Sequence, residues 1–567
     1  GQAGFINGFE PSPRVLPDFE GVLGSFETQN SYNMIIRVHP QNPDLVFTGG
    51  TNLYRTTDGF RSVANISWVG GYNPEGGFSV YPNHHPDQHE VLFYPSDPNK
   101  ILSANDGGLR VTQDGTQEEV VWESLNNGYV TSQFFTVAQT KEAGSITVLG
   151  GMQDNGTDIS TGSGFSEWSG LIGGDGSYAA TTPGQELWFS SFQRAQTLRL
   201  TLNQNREITS FARIDPASLV ASRGNIFLFI NPFIVDPLNS NRVFMAGGRD
   251  LYIHENVSQI PGGSQNIVSI GWKRLNLQKS LDGQISSITS SEDGRTVYYG
   301  STVGELRRLD NANDPLAFEL DSLQDSSLPP GFVSCISVDP SDNSHIIVVF
   351  SNYNIPSIFE SFNGGQTFQN ISGNLEENPD GSGAGFSIRW AEIVPLASGY
   401  RVFAGTSSGL YSTEETSFTT TWTQESLDGI GNAVVTMMDY RPIDGRLVIA
   451  THGNGIFETF IEDFDRVIAD RPIEEAAALI AAYPNPFNNS TEIAFNIPEN
   501  EEIRVDIFSS KGEFINTILW ANLFAGENRV TWDGTNAAGV SLPNGVYLYD
   551  LSGSLGTHFT GRLIIDR

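Results

Sequence analysis

The sequence predicts an all-β fold, a run of small repeated sheets followed by a β-sandwich, and three observations predict it. Short strand–turn–strand phrases recur through the first 460 residues at a spacing of about 50 residues. The 60 glycines are spread among short apolar runs, as tight turns between strands require. The last 85 residues change to alternating apolar and polar positions, the period of a half-buried strand.

Taken in order, the phrases fall at 45–55, 101–110, 146–159, 178–198, 243–253, 297–307, 346–360, 402–412 and 448–458, nine in all. Asn42-Pro43, Asp97-Pro98, Asp236-Pro237 and Asp339-Pro340 precede four of them, and proline there fixes a turn ahead of the strand pair. Many phrases end in an aromatic, Trp68, Trp122, Trp168, Trp272, Phe368 or Trp422, which suits the filling between stacked sheets better than ligand stacking. Such a period, with no helical stretches, reads as the blades of a large β-propeller over residues 1–460. Nine phrases suit one ring of eight to ten blades, or two rings, a seven-bladed one and a partial second. Residues 1–30 are a candidate closing strand. Residues 461–482 are acidic and alanine-rich and read as a linker with a short helix. In 483–567, Ile503, Val505 and Ile507 alternate with Arg504 and Asp506, and Tyr547, Tyr549 and Leu551 share one side. Turns at Lys511-Gly512, Asp533-Gly534 and Asn544-Gly545 complete a small sandwich.

Composition narrows the function. The chain has 567 residues, 65 acidic against 31 basic, for a formal charge of −34. Such a surface repels phosphate backbones and anionic membranes, so nucleic acid is excluded as a partner and cations are favoured. No stretch of 18 apolar residues marks a transmembrane helix. The single cysteine, Cys335, lies in a strand-like run and reads as a buried thiol, which sets redox chemistry aside.

Two resemblances follow from particular residues. Tyr483-Pro484-Asn485-Pro486-Phe487-Asn488, Val505-Asp506-Ile507-Phe508, Trp532-Asp533-Gly534 and Pro543-Asn544-Gly545-Val546-Tyr547 resemble the C-terminal sorting domain of type IX secretion substrates. That domain is akin to the immunoglobulin-like domain of flagellar hook-capping proteins. The resemblance implies export through residues 483–567 by the secretion machinery of a Bacteroidota-like or related bacterium, to the medium or the outer cell surface. Thr56-Thr57-Asp58-Gly59 and Ser361-Phe362-Asn363-Gly364-Gly365-Gln366-Thr367-Phe368 resemble degenerate Asp boxes of the propellers with neuraminidase-type repeats, relatives of the sortilin- and xyloglucanase-type propellers. These boxes imply the fold and no sialidase activity.

The residues richest in chemistry lie in Asn83-His84-His85-Pro86-Asp87-Gln88-His89, which holds three of the eight histidines. Three acidic, glycine-flanked turns follow, at Asn105-Asp106, Gln153-Asp154-Asn155 and Asp175. Equivalent turns of successive blades gather on one face, so Asp87, His89, Asp106, Asp154 and Asp175 are the candidate metal ligands. Structural Ca²⁺ is the expected ion, because a hard cation relieves clustered carboxylates through oxygen ligands. Turns that only bond their own backbone explain the same residues. Zn²⁺ or another transition metal is the lesser alternative, since the spacing matches no standard hydrolase motif and Pro86 forces an irregular local backbone. His84, His85, Asn105, Gln153, Asn155 and His452 are the further candidates for ligand contact, His452 reading chiefly as a cap of its own turn.

The leading expectation is therefore a secreted or cell-surface protein that presents a rigid surface to extracellular glycan or protein. The rivals are a glycoside hydrolase or polysaccharide lyase working through rim carboxylates, and a subunit of a surface layer or filament.

Overall fold

The computed structural model describes residues 27–567, except 75–78, 163, 165, 167, 186, 222–225, 264–269, 276–279, 315–318, 324, 415, 418, 465–480, 498–499, 511–513, 525 and 555–557. Most of the expected closing strand (1–26), most of the linker (465–480) and the Lys511-Gly512 turn lie outside the described residues. The chain divides into two compact units, Gly1–Tyr129 and Val130–Arg567. Among the described residues no helix is long and apolar enough to cross a membrane.

The first unit holds two four-stranded antiparallel meanders, at 35–70 and 88–124. Each contains one of the recurring phrases as its second and third strands. Ile35, Leu45, Phe47, Leu53 and Val69 of the first sheet pack against Val91, Ile101, Val120 and Trp122, which belong to the second. Trp122 is buried and donates its indole N–H to Val69 O at 2.8 Å, so the aromatic that ends the phrase ties the sheets together.

The second unit begins with seven antiparallel meanders in succession, at 134–172, 176–213, 233–274, 285–323, 333–370, 388–425 and 434–460, the last with three strands and the rest with four. A hydrophobic cluster fills every junction between consecutive sheets. A seventh cluster joins Phe134, Val137, Val148 and Met152 of the first of these sheets to Val448 and Ala450 of the last. Polar contacts accompany it. Arg441 donates to Thr140 O at 2.9 Å, Thr436 Oγ1 donates to Phe134 O at 2.8 Å, and Gln139 N donates to Asp439 Oδ2 at 2.8 Å.

The local chemistry agrees with the sequence. Asp236 and Asp339 accept backbone N–H bonds two residues on, at 2.8 Å each, and so shape the turns that Pro237 and Pro340 begin. Asn363 of the second Asp-box-like segment accepts from Gln366 N and Thr367 N at 3.1 and 3.0 Å, and Gly364 and Gly365 take φ of 67° and 87°. Thr112, Asp114 and Gly115 form a related turn that the sequence reading did not single out, with Thr116 N on Asp114 Oδ1 at 2.9 Å. Trp422 donates to Ile371 O of the preceding sheet, the contact that Trp122 makes in the first unit. Cys335 is fully buried, its thiol on Ala391 O, and burial raises its pKa.

The chain ends in a two-layer sandwich. A three-stranded sheet, Ala481–Tyr483, Thr491–Ile497 and Gly526–Trp532, faces a four-stranded one in the order Phe514–Leu523, Glu501–Ser509, Gly545–Gly553, His558–Ile565. The alternating residues supply its core: Ile503, Val505, Ile507, Tyr547, Tyr549 and Leu551 pack with Phe487 and Trp532. Asn485 bonds the last strand twice, accepting from Ile564 N at 2.7 Å and donating to Arg562 O at 2.8 Å.

Candidate functional site

In the first unit the histidine-rich segment leads into the second sheet beside the Thr51-Asn52 turn of the first. Asp87 sits there with φ of 62°, its N–H on Thr51 O at 2.8 Å, and Gln88 N–H reaches Gly50 O at 2.9 Å. The next turn, Asn105–Gly108, lies alongside, with Asp106 N on Asp87 O at 3.2 Å. These main-chain bonds place carboxylate oxygens of Asp87 and Asp106 within 4.8 Å of each other. Asp87 is buried, and its Oδ1 accepts from Gln29 Nε2 at 3.0 Å and Asn33 Nδ2 at 2.5 Å. Asp106 pairs with His89 Nε2, and Tyr32 meets His89 edge-on at 5.2 Å.

The three neighbouring histidines do different work. His84 is buried, with Nε2 on Ser103 Oγ at 3.0 Å and its ring against Trp122 at 4.4 Å. Burial, helped by the charge of Arg110, pushes it down to about 3, so it is a neutral packing residue. His85 Nδ1 lies 3.1 Å from Pro86 O. His89 is directed at a carboxylate. Asn105 Oδ1 accepts from Gly107 N and shapes its own turn.

In the second unit the predicted residues join one sheet to the next. Asp154, at φ of 59°, donates its N–H to Asp175 Oδ1 at 3.1 Å, and Asp175 N–H in turn reaches Gln193 Oε1 at 2.9 Å. Gln153 N bonds Gln133 O, at the lead-in of the same sheet, and Asn155 Nδ2 bonds Gln153 O within the turn. The same relation, a turn of one sheet bonded to the lead-in of the next, recurs at Arg194–Phe229, Gly248–Ile285 and Ser351–Ser387. It recurs again where Gly453 N meets Ser132 O, next to the bridge between His452 and Gln133. His452 lies 5.9 Å from the Phe135 ring, and burial lowers its pKa.

Two polar clusters of the second unit escaped the sequence reading. His345 is buried between Asp339 and Glu360, with Nδ1 on Asp339 Oδ2 at 2.8 Å and Nε2 on Glu360 Oε1 at 2.9 Å, and it stacks on Phe362 at 4.6 Å. Burial alone would lower this imidazole, but the hydrogen bonds and charges of both carboxylates outweigh it and raise it to about 9. The second cluster gathers side chains on, or just after, the first strands of their sheets. The half-exposed Lys141 is 3.8 Å from Asp439, whose charge raises its pKa, with Glu292 and Glu392 adding to the effect. Burial, then the Asp439 charge, pushes Glu392 up to about 8, and its carboxyl lies 3.2 Å from the Trp390 indole nitrogen. The readable signal was an acidic residue inside a mostly apolar first strand, Glu392 in Ile388–Leu396 and Asp439 in Val434–Arg441.

Comparison with known proteins locates one similarity firmly in sequence. Residues 485–556 match the FlgD Ig-like domain. The sandwich is thus an immunoglobulin-like domain of that type. No curated protein matches the chain. Among solved structures the chain is similar to PorZ, an essential bacterial surface component of the type IX secretion system of the human oral bacterium Porphyromonas gingivalis, at 12% identity and a TM-score of 0.43, over 94% of this chain and 81% of that one.

Proposed function

We propose that this protein is an exported surface protein that presents a rigid β-propeller to extracellular glycan or protein, with the C-terminal immunoglobulin-like domain as its sorting signal for a type IX secretion machinery. The match of residues 485–556 to the FlgD Ig-like domain is the observation that carries the reading. The seven sheets of 134–460 form the propeller, a seven-bladed ring with Asp-box-type turns. In support, seven hydrophobic clusters serve seven junctions, the seventh between the last sheet and the first. The two sheets of 35–124 are further blades of the same type. Binding is favoured over hydrolysis because the Asp175 carboxylate is held on a main-chain N–H and His84 is packed away from solvent.

The test is export. Expressed in a bacterium with a type IX system, the full chain reaches the cell surface or medium, whereas a chain ending at residue 482 stays in the periplasm. Equal surface exposure of both forms, by antibody labelling of intact cells, would overturn the reading. Reducing-end release from a polysaccharide panel would replace the binding role with hydrolysis.

A further inference from the structure

We propose that Asp87, Asp106 and Asn33 form an all-oxygen cation site within the first unit, and that its ion is Ca²⁺. Two close carboxylates would not establish it. The deciding observation is the amide beside them. Asn33 is fully buried, and its Nδ2 is engaged by Asp87. Its Oδ1, fixed on the same amide and therefore next to the same carboxylate, meets no donor among the described residues. Gln88 repeats the pattern. It is fully buried and adjacent to Asp87 in sequence, donates through Nε2 to His85 O at 2.9 Å, and leaves Oε1 without a donor.

A buried carbonyl oxygen without a partner is costly, and one beside a carboxylate calls for positive charge. The amide's own orientation does not remove the need. Turning Asn33 over would set its oxygen, instead of its nitrogen, against the Asp87 carboxylate, and that repulsion also needs a cation. The donor set selects the ion. Carboxylate and amide oxygens suit a hard cation, whereas Zn²⁺ prefers nitrogen and sulfur. Ligands at 2.3–2.6 Å lie at most about 5 Å apart, which accommodates Asp87 and Asp106 oxygens within 4.8 Å of each other, and a set of protein oxygens suits Ca²⁺ better than Mg²⁺, which gives up its waters reluctantly. His89, on Asp106, holds that carboxylate in place from the outer side. The site does not depend on the route by which the chain is exported.

The experiment titrates CaCl₂, MgCl₂ and ZnCl₂ separately into the EDTA-treated, dialysed full chain by calorimetry, with circular dichroism on every variant. One Ca²⁺ is expected, bound at least about tenfold more tightly than Mg²⁺. Asp106→Asn weakens it about tenfold or more, and Asn33→Asp, which adds a carboxylate where the amide oxygen stands, tightens it. The absence of Ca²⁺ binding at millimolar concentration, a preference for Zn²⁺, or an affinity that neither D106N nor N33D moves while the fold is retained would each overturn the site.

Discussion

Two carboxylate pairs in this molecule look alike in sequence and differ in what balances them. Asp339 and Glu360 enclose the imidazole of His345, so that pair carries its own cation. Asp87 and Asp106 have oxygens within 4.8 Å of each other; His89 pairs with Asp106, and the group beside Asp87 is the amide of Asn33, which adds an oxygen in need of a donor. The difference teaches that an acidic cluster becomes a candidate binding site through the unsatisfied polar atoms around it, and that the number of carboxylates says little.

The comparison breaks most readily at His345. Replacing it with leucine leaves two buried carboxylates facing each other, and a loss of about 3–5 kcal/mol is expected, read as a lower unfolding midpoint in denaturant. Its pH dependence follows from the raised pKa. A histidine at 6.5 when unfolded and about 9 when folded stabilises fully below pH 6.5 and loses that contribution as pH rises toward 9. His84 has the opposite sign: pushed down to about 3, it contributes above pH 6.5 and loses its effect as pH falls toward 3. Melting scans of the wild type and of H345Q should therefore converge in alkali and separate near neutrality. The next effect is that of chelation. EDTA should lower the melting temperature of the wild type, by the equivalent of about 2–3 kcal/mol against Ca²⁺ at a hundred times its dissociation constant, and that of D106N by the equivalent of about 1.4 kcal/mol or less. Asp175→Ala removes one carboxylate-to-backbone bond between sheets and should cost about 1–2 kcal/mol whether or not Ca²⁺ is present. The smallest change is expected at Ile36. It is 59% exposed, whereas Val91, Phe233 and Ile336, each also three residues before its sheet's first tight turn, are 0%, 3% and 4% exposed. Ile36→Ser should stay within about 0.5 kcal/mol of the wild type, measured in the same denaturant series.

Much of the architecture was legible because it repeats. Each of the nine phrases read from the sequence contains the middle strands of one sheet, since apolar runs separated by glycine turns admit few other pairings. The sandwich was legible for the same reason, its alternating Ile503, Val505 and Ile507 all being core residues. The grouping of the sheets was not, because the junction that joins 134–139 to 434–452 leaves no local signal. Of the site, Asp87 and Asp106 were found through their turns, and Asp154 and Asp175 meet each other as expected of successive turns. Asn33 was missed, as a lone asparagine before a strand carries no motif. His345 was missed because its partners lie six residues before and 15 after it, on separate strands, where only the register brings them together.

The bonds from Arg441 to Thr140 and from Thr436 to Phe134 span sequence separations of 301 and 302 residues. A chain made from its N-terminus onward must hold Phe134, Val137 and Val148 without their final cover until the strand at 446–452 has been synthesised. Pairings so distant form slowly, because the loop between the partners has to close first. That delay leaves the body open while the terminal immunoglobulin-like domain, built from contacts within its own 85 residues, waits for no such distant partner.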